Sequence, residues 1–133
     1  MSKYFAPIIS GILVLFVGIF VAEFVDLYGR FPIFDKVMHF SGGFITGWIL
    51  ILFLHSELSR APWIKRAIII AGGVALVGMF WEFAEYTATA LHSYFPTLNN
   101  YLYIGSLRDT MWDLATDLIG GFVAFLLLSR KNR

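Results

Sequence analysis

The segment "DTMWDLATDLIGGF" (residues 109–122) places Asp109, Asp113 and Asp117 four residues apart inside an apolar run. On a helix that spacing keeps the three carboxylates near one face, drifting by about 40° per step. A second segment, "DKVMHF" (35–40), sets Asp35 and His39 at i, i+4, again on one face. A third, "FWEFAEY" (80–86), belongs to a stripe of Gly78, Glu82, Glu85, Thr89 and His92 that steps by four and three. Carboxylates crowded together cannot all stay ionised without compensation. Oxygen donors with one imidazole, in a chain without cysteine, suit Mg²⁺, Mn²⁺, Fe²⁺ or a catalytic Zn²⁺. Bridging carboxylates could hold two such ions about 3.5–4 Å apart. The expected metal ligands are Asp35, His39, Glu82, Glu85, Asp113 and Asp117. Protons shared between carboxyls, or the flanking Lys36 and Arg108, are the other neutralisers available.

These residues sit in an unusual chain. Of its 133 residues, 59% are hydrophobic and 14% charged, with mean hydropathy +0.75, against roughly 25% charged in soluble domains. One aspartate at the centre of a membrane helix costs about 2.5–3.5 kcal/mol on insertion scales. The composition therefore implies an integral membrane protein in which the acids have a purpose. A lone intramembrane carboxylate is commonly just an interhelical hydrogen bond, worth roughly 0.6 kcal/mol. Coincidence is harder to defend for a set drawn from three helices.

The expected fold class is all-α: a four-transmembrane-helix bundle, one domain over residues 1–133. Spans are expected at about 4–25, 36–54, 65–91 and 110–128, since about 20 apolar residues cross a bilayer. The first run is long for a signal peptide and no A-x-A site follows it. Pro32 and Pro62 suit helix entry, and Ser106 suits an N-cap with Asp109 in the first turn. Tyr94, Tyr101 and Tyr103 in the 92–105 loop suit a membrane interface. No basic run suggests nucleic acid.

Four spans place both termini and the 55–66 connection on one side, with seven basic residues against three on the other. The positive-inside rule then puts both termini in the cytoplasm of a cell bounded by a cytoplasmic membrane. Eight of the nine acids fall in the outer half, and only Glu57 in the inner. At 1.5 Å per residue, Asp117 lies about 12 Å deeper than Asp109, level with Glu82. Asp35, His39, Glu85 and Asp113 form a layer above.

Gly43 and Gly47, with Gly72–Gly73 and Gly120–Gly121, offer close helix approach. The run from Asp35 and the run from Asp113 both read D-x-x-x-[H/D]-x-x-G-G-F. "GIFVAEF" and "GMFWEF" in the preceding spans add a second echo, pairing Glu23 with Glu82. The chain thus reads as two parallel helical-hairpin pseudo-repeats, with the site at their interface.

The three polar blocks "DKVMHF", "FWEFAEY" and "RDTMWDLATDLIGG" (108–121) resemble the VanZ-like and YjdF-like small bacterial membrane proteins. The VanZ-like pattern is carried by Asp35, Lys36, His39, Glu82, Arg108, Asp113 and Gly120; Glu85 and Asp117 stand where that group has glutamine and asparagine. Both departures add negative charge. The resemblance implies an envelope protein linked to glycopeptide resistance, with no mechanism attached.

Three functions fit. The first is a metal-dependent hydrolase or transferase acting on a lipid or lipid-linked phosphate from the extracytoplasmic side. His39 or Glu85 would be its general base, and Arg108 with Lys36 would hold the phosphate. The second is a cation or proton transporter, which the apolar inner half argues against. The third is a non-catalytic lipid-binding or accessory protein. Self-association is open in all three.

Overall fold

The computed structural model describes residues 3–21, 24–31, 33–94, 102 and 104–129. Glu23, Pro32, Tyr101 and Tyr103, named above, lie outside the described residues. Among those described, the regular structure is helical throughout. Helix α1 (Phe5–Phe16) widens into a π turn at Val17–Val21. A single turn, α2 (Leu27–Arg30), leads into α3 (Ile33–Phe53). The short α4 (His55–Ser59) precedes α5 (Trp63–Ala90), and α6 (Leu107–Leu128) ends the fold.

Helices α3, α5 and α6 are long and apolar enough to cross a membrane. They begin two or three residues before the expected spans, and local capping explains why. Pro62 is extended at the start of α5, where its missing N–H costs nothing. Ser106 Oγ accepts the Asp109 N–H at 3.2 Å, satisfying one of the free amides of the first turn of α6. The first apolar run keeps helical bonding beyond Val21, where the Val25 N–H donates to the Val21 carbonyl at 3.1 Å. Its apolar helix covers Phe5–Val21, and Asp26 then turns the chain with a left-handed φ of 54°.

Helices α3 and α6 run side by side in the same direction. Lys36 meets Asp113 and His39 meets Asp117, at separations of 77 and 78 residues; the D-x-x-x-[H/D] echo has the same offset of 78. Glycine sets the distance between them. A Cβ on Gly43 would collide with the Asp117 backbone, and one on Gly120 with the Phe40 carbonyl. Gly47 would place its Cβ 3.1 Å from the Gly121 Cα. The two backbones are therefore in direct contact, as the G-x-x-x-G reading requires. Helix α5 returns across both, with Val74 against Gly121 and Leu50 of α3 against Gly73.

Beneath this contact lies an apolar cluster of Ile51, Leu58, Ile70, Val74 and Phe125. Outward faces carry Ile64, Ile68, Phe80, Phe83, Ile119 and Leu127, all more than half exposed. A surface this apolar is what contact with lipid tails demands. Helix α1 packs on α3 alone in its hairpin sense: Gly11 faces Ile45, and Lys3 Nζ reaches the Leu52 carbonyl at 3.2 Å.

The glycine contacts generate a test. Gly43→Ala should lower stability by about 1–3 kcal/mol, the usual cost of overpacking. Gly42→Ala, whose Cβ meets nothing within 4 Å, should be neutral or gain up to about 1 kcal/mol from helix propensity. Thermal melts of the two variants in one detergent compare them directly; equal melting temperatures would remove backbone contact as the determinant.

Candidate functional site

The parallel register of α3 and α6 stacks their polar residues in two layers. In the outer layer Lys36, in the second turn of α3, spends all three ammonium donors on aspartates. Nζ donates to Asp35 Oδ2 at 2.8 Å, Asp109 Oδ1 at 2.6 Å and Asp113 Oδ1 at 2.5 Å. Asp35 gains further from its place in the first turn, where exposed amides favour negative charge. One turn deeper, the His39 ring is wedged between layers. Its Nε2 faces Asp113 Oδ1 at 3.6 Å and Asp35 Oδ1 at 3.9 Å. Its Nδ1 lies 3.4 Å from both oxygens of Asp117. Asp117 itself fits only because Gly78 of α5 has no side chain there; a Cβ would strike its carboxylate.

Glu82 enters from α5 one turn nearer the Asp109 end than Gly78, the residue that faces Asp117, so it stands level with Asp113 and Thr110 and not, as expected, with Asp117. It lies near the Thr110 side chain and within electrostatic range of His39, Asp117 and Asp35. Its Oε1 is buried without a protein partner. A carboxylate oxygen sealed from water and unbonded needs a counter-charge or a proton. Exposure falls along the series: the Asp109 side chain is 45% exposed, Asp35 28%, Lys36 23% and Asp113 5%. The site is a well, open at the Asp109 end and closed at Asp117, beside Gly78.

Asp35, His39 and Asp113 each present a ligand atom, all within 4.8 Å of one another. Three of the six expected ligands thus converge directly, and Asp117 and Glu82 adjoin them through His39. Glu85 stands apart. It accepts the Trp81 indole N–H at 2.9 Å on its own helix, which turns it away from hydrogen bonding with the aspartates. Arg108 is exposed on the first turn of α6 and takes no part in the cluster. His92 is exposed, and Thr89 accepts the Ile104 N–H at 3.0 Å, so the far end of the α5 stripe anchors a loop instead.

Two residues enter from outside the expected set. Asp109 was legible in its stripe, and its pairing with Lys36 follows from α6 starting early. Tyr28, in α2, carried no signal, because a one-turn helix has no periodicity to read. Its ring packs edge-on against Phe34 with centroids 5.2 Å apart. Burial, then the negative charges of Asp35 and Glu85, push its phenol up to about 12. The hydroxyl therefore stays protonated beside the outer carboxylates and can only donate to them or to water.

Removing the central cation should be costly. Lys36→Met leaves Asp35, Asp109 and Asp113 facing one another, and should lower stability by about 2–4 kcal/mol without added divalent ions. Asp109→Asn, at the half-exposed rim, should cost no more than about 1 kcal/mol. Denaturation of both in the same micelles sets the order; a reversed order would show that Asp109, and not Lys36, anchors the outer layer.

A family model described as "Predicted membrane protein (DUF2238)" matches residues 4–133. An uncharacterised protein of Thermotoga maritima is 27% identical over 111 residues, covering 83% of this chain and 55% of the relative. The chain thus spans about half the length of that curated relative. No solved structure matches.

Proposed function

This chain belongs to the DUF2238 family of predicted membrane proteins, and we propose that its buried well holds a divalent cation in the service of hydrolysis or transfer at a lipid or lipid-linked phosphate. The observation that carries the cation is the convergence of Asp35, His39 and Asp113 within 4.8 Å, next to a buried Glu82 whose Oε1 lacks a partner. The donor set, carboxylate with one imidazole, suits Mg²⁺, Mn²⁺, Fe²⁺ or Zn²⁺. Such an ion would polarise a phosphoryl oxygen or sharpen a bound water as nucleophile. With His39 taken as ligand, the general base falls to Glu85, which Trp81 holds in place. Arg108, exposed at the rim, is left to meet a headgroup phosphate.

The reading includes a four-span bundle, with Phe5–Val21 as the shortest crossing and both termini cytoplasmic in a bacterial inner membrane. The offsets of 77 and 78 residues between α3 and α6 contacts support two parallel hairpin pseudo-repeats. Seven basic residues against three support the orientation. Reporter fusions after residue 60 should report cytoplasm, and fusions within 92–105 the outside. The opposite pattern would move the well to the cytoplasmic face.

The cation itself is tested by linkage. An ion bound only by the folded protein, at one hundred times its Kd, adds about 2.7 kcal/mol of stability. Mn²⁺ should therefore raise the melting temperature of the wild type and a chelator reverse it. Asp113→Asn and His39→Ala should each lose most of that response. A metal-free protein, verified by elemental analysis, whose melting ignored both Mn²⁺ and chelator would falsify the cation. Mn²⁺-dependent phosphate release from a lipid phosphate in vesicles is the corresponding assay of the chemistry.

A further inference from the structure

The oxygens best placed to ligate a cation are already engaged by one that belongs to the chain. Lys36 Nζ holds Asp113 Oδ1 at 2.5 Å and Asp35 Oδ2 at 2.8 Å. Asp113 Oδ1 is also the oxygen that faces His39 Nε2 at 3.6 Å. A divalent ion held by Asp35, His39 and Asp113 would lie within contact distance of the ammonium. Two cations so close repel strongly at any plausible local dielectric. They would also compete for the same lone pairs.

We propose that Lys36 is a tethered counter-cation, and that a divalent ion enters the well by displacing its ammonium from Asp113 and Asp35. The proposal rests on the cation reading above and names how that site is controlled. Three features equip Lys36 for the exchange. Its charge is compact and sits on a flexible four-carbon stem, so it can leave without moving the helix. Its side chain is 23% exposed, which gives it a route to water. Asp109, its third partner, is the most exposed carboxylate of the layer, so the ammonium can keep that contact as it withdraws outward. The exchange also improves the local charge balance, because a double charge replaces a single one among Asp35, Asp113, Asp117 and Glu82. Without an ion, the same lysine prevents the outer aspartates from repelling one another and keeps α3 and α6 in register. The well therefore stays assembled at low metal concentration and answers only when the ion is abundant enough to outcompete an internal ligand.

The full chain in detergent, titrated with Mn²⁺ alone and read by the paramagnetic resonance of the free ion, tests this. Lys36→Met should bind Mn²⁺ about tenfold more tightly or better, since the competing charge is gone. Lys36→Arg, which keeps the charge, should bind no more tightly than wild type. In the wild type, Mn²⁺ should also raise severalfold the labelling of Lys36 by a water-soluble amine reagent, read by peptide mass spectrometry, with Lys65 as an unchanged reference. This second readout stands even if Lys36→Met does not fold. Equal Mn²⁺ affinity in wild type and Lys36→Met, with unchanged labelling, overturns the displacement and leaves the cation site intact. Weaker binding in Lys36→Met overturns it as well, by making the lysine a supporter of the ion. Absence of Mn²⁺ binding in all three proteins removes the cation reading and the displacement together.

Discussion

His39, Glu82, Asp113 and Asp117 are all more than nine-tenths buried, in helices whose outer faces are apolar. No bulk water can solvate a carboxylate there, so each charge must meet an opposite charge, a donor or a proton. The outer layer answers with the Lys36 ammonium, whose three donors are all used. The layer beneath answers with the imidazole of His39, which faces carboxylates through both ring nitrogens. Glu82 Oε1 is the atom left over. The least compensated group is thus the carboxylate that α5 brings in level with Asp113, one turn nearer the Asp109 end than Asp117. A polar site meant only to glue helices together would more naturally satisfy each of its groups.

That arrangement exists because α3 and α6 touch through their backbones. Gly43, Gly47, Gly120 and Gly121 remove the side chains that would otherwise hold the axes apart. Gly78 does the same for the Asp117 carboxylate against α5. Dispersion and close fit, not the hydrophobic effect, drive helix association among lipid tails. The apolar cluster around Val74 and Phe125 and the glycine contacts above it therefore set the geometry, and the charges settle within it. Lys36 can stabilise the aspartates only because the glycines bring them within its reach.

Helical periodicity made much of this legible. Asp35 with His39, and Asp113 with Asp117, could be placed on facing stripes because i, i+4 spacing repeats at nearly a full turn. The glycine pairs announced the close approach, and Ser106 announced the start of α6. The central role of Lys36 was harder to see. Adjacent residues on a helix do not face each other, so Asp35 and Lys36 looked like members of different faces. A lysine arm is long enough to fold back to its neighbour while reaching another helix, and no spacing rule records that. Glu85 is held by a local contact of the same unreadable kind. Trp81, four residues earlier, offers an indole N–H on the same helix, and a local donor prevails over carboxylates on other helices. Val17–Val21 adopts a wider turn within the first apolar run, which apolar composition alone does not betray.

The floor of the well bears on what the site can do. Below Asp117 and Gly78 the packing passes to Val74, Ile70, Phe125 and Ile51, each almost fully buried. At the far end the Arg66 guanidinium lies 5.9 Å from the centre of the Phe125 ring and bonds the Ser129 carbonyl at 3.2 Å. An ion crossing that stretch would meet hydrocarbon and a positive charge, with no carboxylate to receive it. Transport along this path would need the helices that touch through glycine to separate, breaking the contact that assembles the site. A blind well has one mouth, and whatever enters must leave by it. The geometry below Asp117 thus accords with the proposed reading, in which an ion is held and acts at the rim, better than with passage through.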